Sequence, residues 1–179
     1  TNLQYSCFLN ATEYADEKIW QSIVGFDEKG KPLPKVGAEA WKWFREQGGK
    51  EYKPPRWDDV RFGASHRLLP VVSVTWYEAA AYARFAGKAL PNIFHWARAA
   101  GTTGASWIIP HSNFDGRGPA PVGSYRGIGP FGTLDMAGNV REWCADDAGS
   151  YRPGGAGGLG HAIRGGGWAG TLLRARCAN

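Results

Sequence analysis

Residues 134–143 read LDMAGNVREW and bring two carboxylates, Asp135 and Glu142, close to a Gly-Asn pair. Carboxylate and backbone carbonyl oxygens are the ligands that Ca²⁺ prefers. An irregular Gly-Asn turn frees backbone carbonyls from secondary structure, so such a loop could fold around a cation. The same residues could also form a turn with two solvated acids, and the segment alone leaves both interpretations open.

Thiols and imidazoles, which also bind metals, are few and widely spaced. The three cysteines contain no Cys-x-x-Cys pair, a pattern that predicts buried or free thiols rather than a zinc site or a disulfide framework: Cys7, Cys144 and Cys177. A single disulfide and the cellular compartment stay open. The four histidines lack a His-x-x-x-His spacing: His66, His95, His111 and His161. Nothing marks a Ser-His-Asp or Cys-His nucleophile.

The composition predicts a chain with much irregular backbone. Its 179 residues fit one domain with a substantial core. Glycine accounts for 26 residues, about twice the usual share of roughly 7%. Tryptophan accounts for 9, so large buried rings rather than long regular elements are expected to hold the fold together.

The charge pattern does not favour nucleic acid as a partner. The net charge of +5 permits an acidic partner, but no run of Lys and Arg is present and the arginines are scattered. The longest apolar runs, such as LLPVVSV, are too short to span a bilayer.

Helices are predicted in the N-terminal half. Three amphipathic segments cover residues 2–12, 17–23 and 38–47, the first with Asn2 as its cap. The strongest pattern covers residues 74–88, where Thr75 and Glu78 form a capping box before an alanine-rich interior.

A further helix is predicted over residues 90–101, capped by Asn92 and ended by Gly101. Beyond Gly101 the sequence predicts no helix, only loops and the strand-like pieces SWII, APVGSY and HAIRGG. This order of elements indicates an α+β fold with little regular structure.

Five blocks between Pro70 and Arg176 occur in an order typical of one family: PVVSVTWYEAAAYARFAGK, ALPNIFHWARAAG, APVGSY, LDMAGNVREW and IRGGGW. They resemble the formylglycine-generating enzyme, or sulfatase-modifying factor, family. The resemblance implies a C-type-lectin-like fold, formed here by a single domain over residues 1–179. Family domains normally carry further strands at both ends, so the chain is expected to be clipped there.

The catalytic chemistry of the resembling family is not supported. Its copper enzymes use a pair of Cys thiolates, because soft thiolates select Cu(I). In those enzymes the pair lies after the Gly-Gly-Ser-Tyr/Trp block, but AGTLLRA, which follows Trp168, contains no cysteine. Cys177 matches a structural cysteine instead. Copper is therefore not expected, and whether the protein is an enzyme stays open, with a non-catalytic role favoured.

In the resembling family LDMAGNVREW corresponds to a structural calcium loop. The resemblance implies that Asp135 and Glu142 supply side-chain oxygens and that Gly138 and Val140 supply backbone carbonyls. A second family calcium site uses an Asn and an Asp-Gly-Phe segment. SNFDGRGPAPV is shorter here, which leaves Asn113 and Asp115 as secondary candidates.

The working face of the family lies at RGGGW and the residues after it. Non-catalytic relatives, the variable proteins of diversity-generating retroelements, diversify and display residues after this block. The spacing from Trp168 to RCAN fits both those proteins and ordinary non-catalytic members. The implied ligand-binding residues, which could instead form a plain strand and turn, are Trp168, Ala169, Gly170, Thr171, Leu172 and Arg174.

Together these features predict a calcium-stabilised, non-catalytic module that binds a protein or small-molecule ligand. Two alternatives stay open: a metal-dependent oxidoreductase of the same family, and an accessory domain fused to a bacterial signalling protein such as a kinase.

Overall fold

A computed structural model describes residues 1–27, 29–55, 57, 66–101, 105–114, 116–147 and 160–170, and every structural statement below concerns these residues. The helices and strands, in chain order, are α1 (Asn2–Leu9), α2 (Glu17–Gln21), α3 (Val36–Glu46), α4 (Trp76–Phe85), α5 (Ile93–Ala100), α6 (Ala105–Ile108), β1 (Glu142–Asp147) and β2 (His161–Arg164). Short 3₁₀ turns cover Thr12–Ala15, Gly49–Glu51 and Ile109–His111. Mixed helices and strands confirm the α+β class.

The predicted capping box of α4 is confirmed. The Thr75 hydroxyl accepts a hydrogen bond from the Glu78 N–H, and the Glu78 carboxylate accepts one from the Thr75 N–H. Asn92 likewise caps α5, and Gly101 ends it in a left-handed conformation. The predicted cap of α1 is wrong, because Thr1 occupies that position and Asn2 is the first helical residue.

An aromatic core joins the first four helices. Its largest fully buried side chains are Trp20, Tyr5, Phe8 and Phe44. The rings of Trp20 and Phe44 stack with centroids 4.2 Å apart, and the Trp20 indole N–H donates to the Tyr14 carbonyl. The abundant rings thus form the core, as the composition predicts.

The second half of the chain differs from the prediction in two places. SWII, a predicted strand, lies in α6 and the following 3₁₀ turn, so helical structure continues past Gly101. HAIR forms β2 as predicted, and it pairs with β1 as an antiparallel two-stranded sheet. APVGSY forms turns rather than a strand.

The β1–β2 hairpin is fixed to the helical layer by buried hydrogen bonds. The Trp76 indole N–H of α4 donates to the Cys144 carbonyl at 2.7 Å. The Ile93 N–H at the start of α5 donates to the buried Asp146 carboxylate at 2.7 Å. Because β1 is held by both helices, residues 134–141 of LDMAGNVREW, which lead directly into β1, have a fixed position beside α5. Among the described helices, none is long and apolar enough to cross a membrane.

Candidate functional site

A groove of about 1220 Å³ is bounded by α5, the hairpin, the RGGGW segment and residues 70–74. Its floor and walls are mostly apolar, and they include Val72, Trp143 and Ile163. The side chains of Val72 and Ile163 are 46% and 39% exposed, so the apolar surface is open to a ligand. An open apolar groove with few polar groups is typical of ligand-binding sites.

Glu142 is the half-buried acid of this groove. Its carboxylate accepts a hydrogen bond from the Trp96 indole N–H of α5 through Oε2. Burial raises the pKa of Glu142; the Trp96 hydrogen bond opposes this shift, and the nearby Asp135 carboxylate adds to it. The loop therefore brings Asp135 and Glu142 close enough for their carboxylates to interact electrostatically.

Asp135 is held in an unusual backbone conformation. Its φ is 59°, in the left-handed region, and Asn139 in the same loop has a φ of 60°. The Asp135 carboxylate accepts a hydrogen bond from the Gly123 N–H at 2.7 Å through Oδ2. Each of the two acids is thus fixed through one oxygen, which leaves its second oxygen for another partner.

Two backbone carbonyls of the loop lie near Gly165. The Gly138 N–H donates to the Gly165 carbonyl at 2.7 Å. A Cβ placed at Gly165 would lie 3.6 Å from the Met136 carbonyl oxygen and 3.8 Å from the Val140 carbonyl oxygen. Val140 is a predicted carbonyl donor, whereas Met136 is not.

The donor types in this loop suit calcium. In the described part of the chain no three His, Cys, Asp or Glu side chains form a metal-binding group. A calcium site here would therefore use two carboxylates, Asp135 and Glu142, together with carbonyls such as that of Val140. Ca²⁺ takes six to eight oxygens and accepts backbone carbonyls among them. The residues present fit the ion in donor chemistry.

Asn113, the secondary calcium candidate, lies in a different network. Its Nδ2 group donates to the Asn139 Oδ1 and to the Gly118 carbonyl, and its own Oδ1 is buried without a hydrogen-bond partner. Asn139 also accepts from the Ala120 N–H. The other secondary candidate, Asp115, lies outside the described residues.

The RGGGW segment closes the groove beside this loop. The Trp168 N–H donates to the Asn139 carbonyl at 2.8 Å, and the Gly116 N–H donates to the Trp168 carbonyl at 3.1 Å. Trp168, Ala169 and Gly170 all line the groove. The other predicted ligand-binding positions, Thr171, Leu172 and Arg174, lie outside the described residues.

Two described cysteines, Cys7 and Cys144, are free thiols. Burial raises the pKa of the Cys144 thiol to about 12, so this sulfur stays protonated at neutral pH. Cys144 is therefore packed as an apolar side chain, in agreement with the predicted buried thiol.

Trp96 is a site residue that sequence reasoning misses. Trp96 lies on α5, and nothing in the sequence pairs it with Glu142, 46 positions away. A tryptophan can bury its ring and still donate one hydrogen bond, and this property allows it to position a carboxylate.

Comparison with known proteins agrees with the sequence blocks. The family model described as "Sulfatase-modifying factor enzyme 1-like domain" matches residues 1–179. The chain belongs to the sulfatase-modifying factor family. The formylglycine-generating enzyme of Streptomyces coelicolor is a relative, 31% identical in an alignment 183 positions long that covers 82% of this chain and 55% of the relative.

Other relatives carry different names. The serine/threonine-protein kinase pkn1 of Chlamydia caviae is 39% identical in an alignment 129 positions long that covers 62% of this chain and 21% of the kinase. Hercynine oxygenase of Mycolicibacterium smegmatis is 30% identical in an alignment 153 positions long that covers 62% of this chain and 35% of that protein. The chain therefore spans about half the length of the formylglycine-generating enzyme and about a fifth of the kinase.

Proposed function

We propose that this domain is a non-catalytic binding module of the sulfatase-modifying factor family, whose groove takes a protein or small-molecule ligand. One observation carries the proposal: the groove is open and apolar, and the segment AGTLLRA that follows its Trp168 wall has no cysteine. A pair of thiolates suited to copper is thus missing from the position where the resembling catalytic members hold it.

The ligand-binding surface in this proposal is centred on Trp168, Ala169 and Gly170, which border the groove. Thr171, Leu172 and Arg174 continue it as predicted positions. A variable protein of a diversity-generating retroelement would be one specific form of such a module. The C-type-lectin-like arrangement implied by the family resemblance is part of the same proposal.

Structural calcium belongs to the proposal as well. Asp135, Glu142 and the carbonyls of Gly138 and Val140 are the proposed ligands, with Asn113 and Asp115 as a second set. The ion would supply no reaction; it would neutralise two neighbouring acids and fix an irregular loop beside the groove. Burial raises the pKa of Glu142 and the nearby Asp135 carboxylate adds to that shift, so a cation between the two acids would relieve their repulsion, which supports this role.

The proposal is tested by looking for the family reaction directly. The full-length protein is incubated with copper, oxygen and a sulfatase-type Cys-x-Pro-x-Arg peptide, and the peptide is weighed by mass spectrometry. The formylglycine-generating enzyme of Streptomyces coelicolor serves as the positive control. We expect an unchanged peptide mass, whereas the mass loss that accompanies conversion of the Cys side chain to an aldehyde would refute the proposal.

A second function is favoured by one specific observation. The Chlamydia caviae kinase is 39% identical over 62% of this chain, and the Streptomyces coelicolor enzyme is 31% identical over 82% of it. The match covers about a fifth of the kinase. In this alternative the domain is an accessory part of a signalling protein. Sequencing the gene on both sides of residues 1–179 tests it: a kinase domain in the same reading frame supports the alternative, and its absence removes it.

A further inference from the structure

His161, the first residue of β2, is stacked on a tryptophan of the helical layer. The centroid of its ring lies 3.7 Å from that of the Trp76 ring of α4, and the angle between the two planes is 8°. Trp76 is 4% exposed, and its indole N–H donates to the Cys144 carbonyl of β1. One buried ring of α4 therefore contacts both strands of the hairpin, β1 through a hydrogen bond and β2 through the stack.

The pairing of β2 with β1 is irregular beside this stack. Trp143 pairs with Ile163, but the register shifts before the next pair, which is Asp147 with His161. Such an irregularity interrupts the hydrogen bonds between two strands. The position of His161 therefore depends on its contact with Trp76 as well as on strand pairing.

The ring of His161 is placed in a way that suits a neutral imidazole. Its Nδ1 atom is buried without a hydrogen-bond partner. A neutral imidazole leaves one ring nitrogen unprotonated, whereas an imidazolium carries an N–H group on both nitrogens. A charged donor that is buried without an acceptor costs more free energy than an unpaired neutral nitrogen. Protonation of His161 is therefore expected to weaken the stacked arrangement.

The groups that face His161 come from β1 and α4. Burial lowers the pKa of His161, and the Asp147 carboxylate and the Asp146 backbone oppose this shift without reversing it. The Asp146 carboxylate itself accepts a hydrogen bond from the start of α5. The ring of Tyr77 on α4 lies 6.4 Å from that of His161; burial and Glu39 of α3 raise the pKa of Tyr77, which keeps it a neutral phenol. Together these groups favour the neutral imidazole.

The stack is connected to the groove through β2. This strand has only four residues, so its first residue is close to all the others. Ala162 is 5% exposed and packed into the protein, and Ile163 and Arg164 line the groove. Movement of His161 away from Trp76 would therefore displace the part of the groove wall that β2 forms.

We propose that the stack of His161 on Trp76 is a pH-sensitive switch, in which protonation of His161 releases the start of β2 from α4 and loosens the groove wall formed by Ile163 and Arg164. This inference rests on the proposed binding function, because the groove is the site that the switch would regulate. The stabilising contribution of the stack is present above the ordinary pKa of 6.5 and is lost as the pH falls through the lowered folded-state pKa.

The switch is tested by amide hydrogen exchange of residues 161–164 in the full-length protein at about pH 7.5 and about pH 5.5, corrected for the intrinsic effect of pH on exchange. We expect the protection of the wild type to fall severalfold at the lower pH. Linkage limits this fall to about tenfold, because about pH 5.5 is one unit below the ordinary pKa of 6.5.

Two variants separate His161 from other titrating groups. His161→Phe keeps an aromatic ring on Trp76 but cannot be protonated, so its protection should be nearly the same at both pH values. His161→Gln lacks the ring and also does not titrate, so its protection should be independent of pH even if it is lower throughout. His111→Gln is the matched control, because His111 is exposed and does not line the groove; it should retain the wild-type response.

Three results would overturn the proposal. The first is unchanged or greater protection of the wild type at the lower pH, which cation–π attraction between the imidazolium and Trp76 would produce. The second is a fall in His161→Phe and His161→Gln as large as that in the wild type. The third is an equal fall at the amides of α3, which would mean that acid loosens the whole fold rather than the hairpin.

The outcome is distinguishable from failure of the proposed function, because hydrogen exchange is measured without a ligand. If protection of residues 161–164 does not depend on His161 but the Cys-x-Pro-x-Arg peptide stays unmodified, the switch fails and the non-catalytic proposal stands. If that peptide is oxidised, the non-catalytic proposal fails whatever the exchange rates are.

Discussion

The two halves of the described chain are stabilised by different interactions. The N-terminal helices bury large rings, and Trp20, Phe8 and Phe44 are at most 1% exposed. The region from α6 to β2 instead buries polar side chains such as Asn113 and Asn139, and it leaves Trp107 78% exposed and Phe131 63% exposed. The first region resembles an ordinary apolar core, whereas the second is an irregular backbone held by hydrogen bonds.

This difference indicates that the two regions have different structural roles. Apolar burial stabilises the first region in proportion to the area removed from water, without demanding a particular backbone conformation. A hydrogen-bonded loop network depends on geometry, and it can hold strained residues such as Asp135 and Asn139 in place. The helical region therefore serves as the scaffold, and the loop region forms the groove.

The largest loss of stability is expected from removing a buried ring of the helical region. Phe44→Ala should lower the free energy of unfolding by about 3–5 kcal/mol, because it removes a fully buried ring stacked on Trp20. Phe131→Ala is the matched control and should cost less than about 1 kcal/mol, since its ring is exposed. Urea denaturation measures both, and similar losses would show that the two regions do not differ as described.

The loop region should respond most to loss of a polar side chain. Asn139→Ala removes the hydrogen bonds to Asn113 and Ala120 and places alanine at a positive φ, so we expect a loss of about 3 kcal/mol. Asn139→Gly tolerates that φ and should lose about 1 kcal/mol less. Hydrogen exchange should rise in the loop region while the helical amides stay protected; a uniform rise would contradict separate stabilisation.

Calcium removal should affect the loop region alone. At free calcium well above its dissociation constant, we expect chelation to lower stability by about 2 kcal/mol, seen as a lower melting temperature. Glu142→Ala should abolish this shift, whereas Glu46→Ala, at an exposed helical position, should retain it. If chelation leaves the melting temperature of the unmodified protein unchanged, the calcium proposal is wrong.

The smallest effect concerns a buried acid within the scaffold. Burial raises the pKa of Glu78, although hydrogen bonds from Thr75 oppose the shift. The folded-state pKa of Glu78 lies above the ordinary value of 4.5, so folding favours the protonated carboxyl. Its contribution to the free energy of unfolding is therefore complete below pH 4.5. That contribution is lost as the pH rises through the folded-state pKa.

Glu78→Gln keeps a neutral side chain at every pH. The stability difference between wild type and Glu78→Gln should therefore shift in favour of wild type as the pH falls from neutral toward 4.5. Glu39→Gln, at an exposed position of α3, is measured alongside as the control for removing a carboxylate from a surface position of the helical region. A pH-independent difference for Glu78→Gln, measured by urea denaturation at several pH values, would show that burial of this acid has no effect on proton binding.

Local signals account for the elements that the sequence predicts correctly. The capping residues Thr75 and Asn92 act within one helical turn, so α4 and α5 can be found from short patterns. Strand β1 escapes prediction, because Cys144, Ala145 and Asp146 are buried in succession and the usual alternation is absent. SWII contains residues common in strands, yet its neighbours place it in a helix, which shows tertiary context overriding propensity.

The sequence predicts which acids belong to the candidate site, but not their hydrogen-bond partners or the groove around them. Asp135 and Glu142 stand out because their oxygens and spacing suit a cation. Their partners Trp96 and Gly123 are distant in sequence, and only the packing of α5 and the loop against the hairpin brings them close. The groove itself depends on surfaces from several elements, for which a sequence pattern has no signal.

The central claim is that the open groove of the loop region is the ligand-binding surface. It is tested most directly by titrating full-length protein with the apolar dye anilinonaphthalene sulfonate and comparing Ile163→Gln with Val24→Gln. The two parent side chains are 39% and 36% exposed, but only Ile163 lines the groove. With melting temperatures confirming that both variants are folded, the account predicts that Ile163→Gln loses most of the dye fluorescence and Val24→Gln retains it. Equal fluorescence of the two variants would contradict the account.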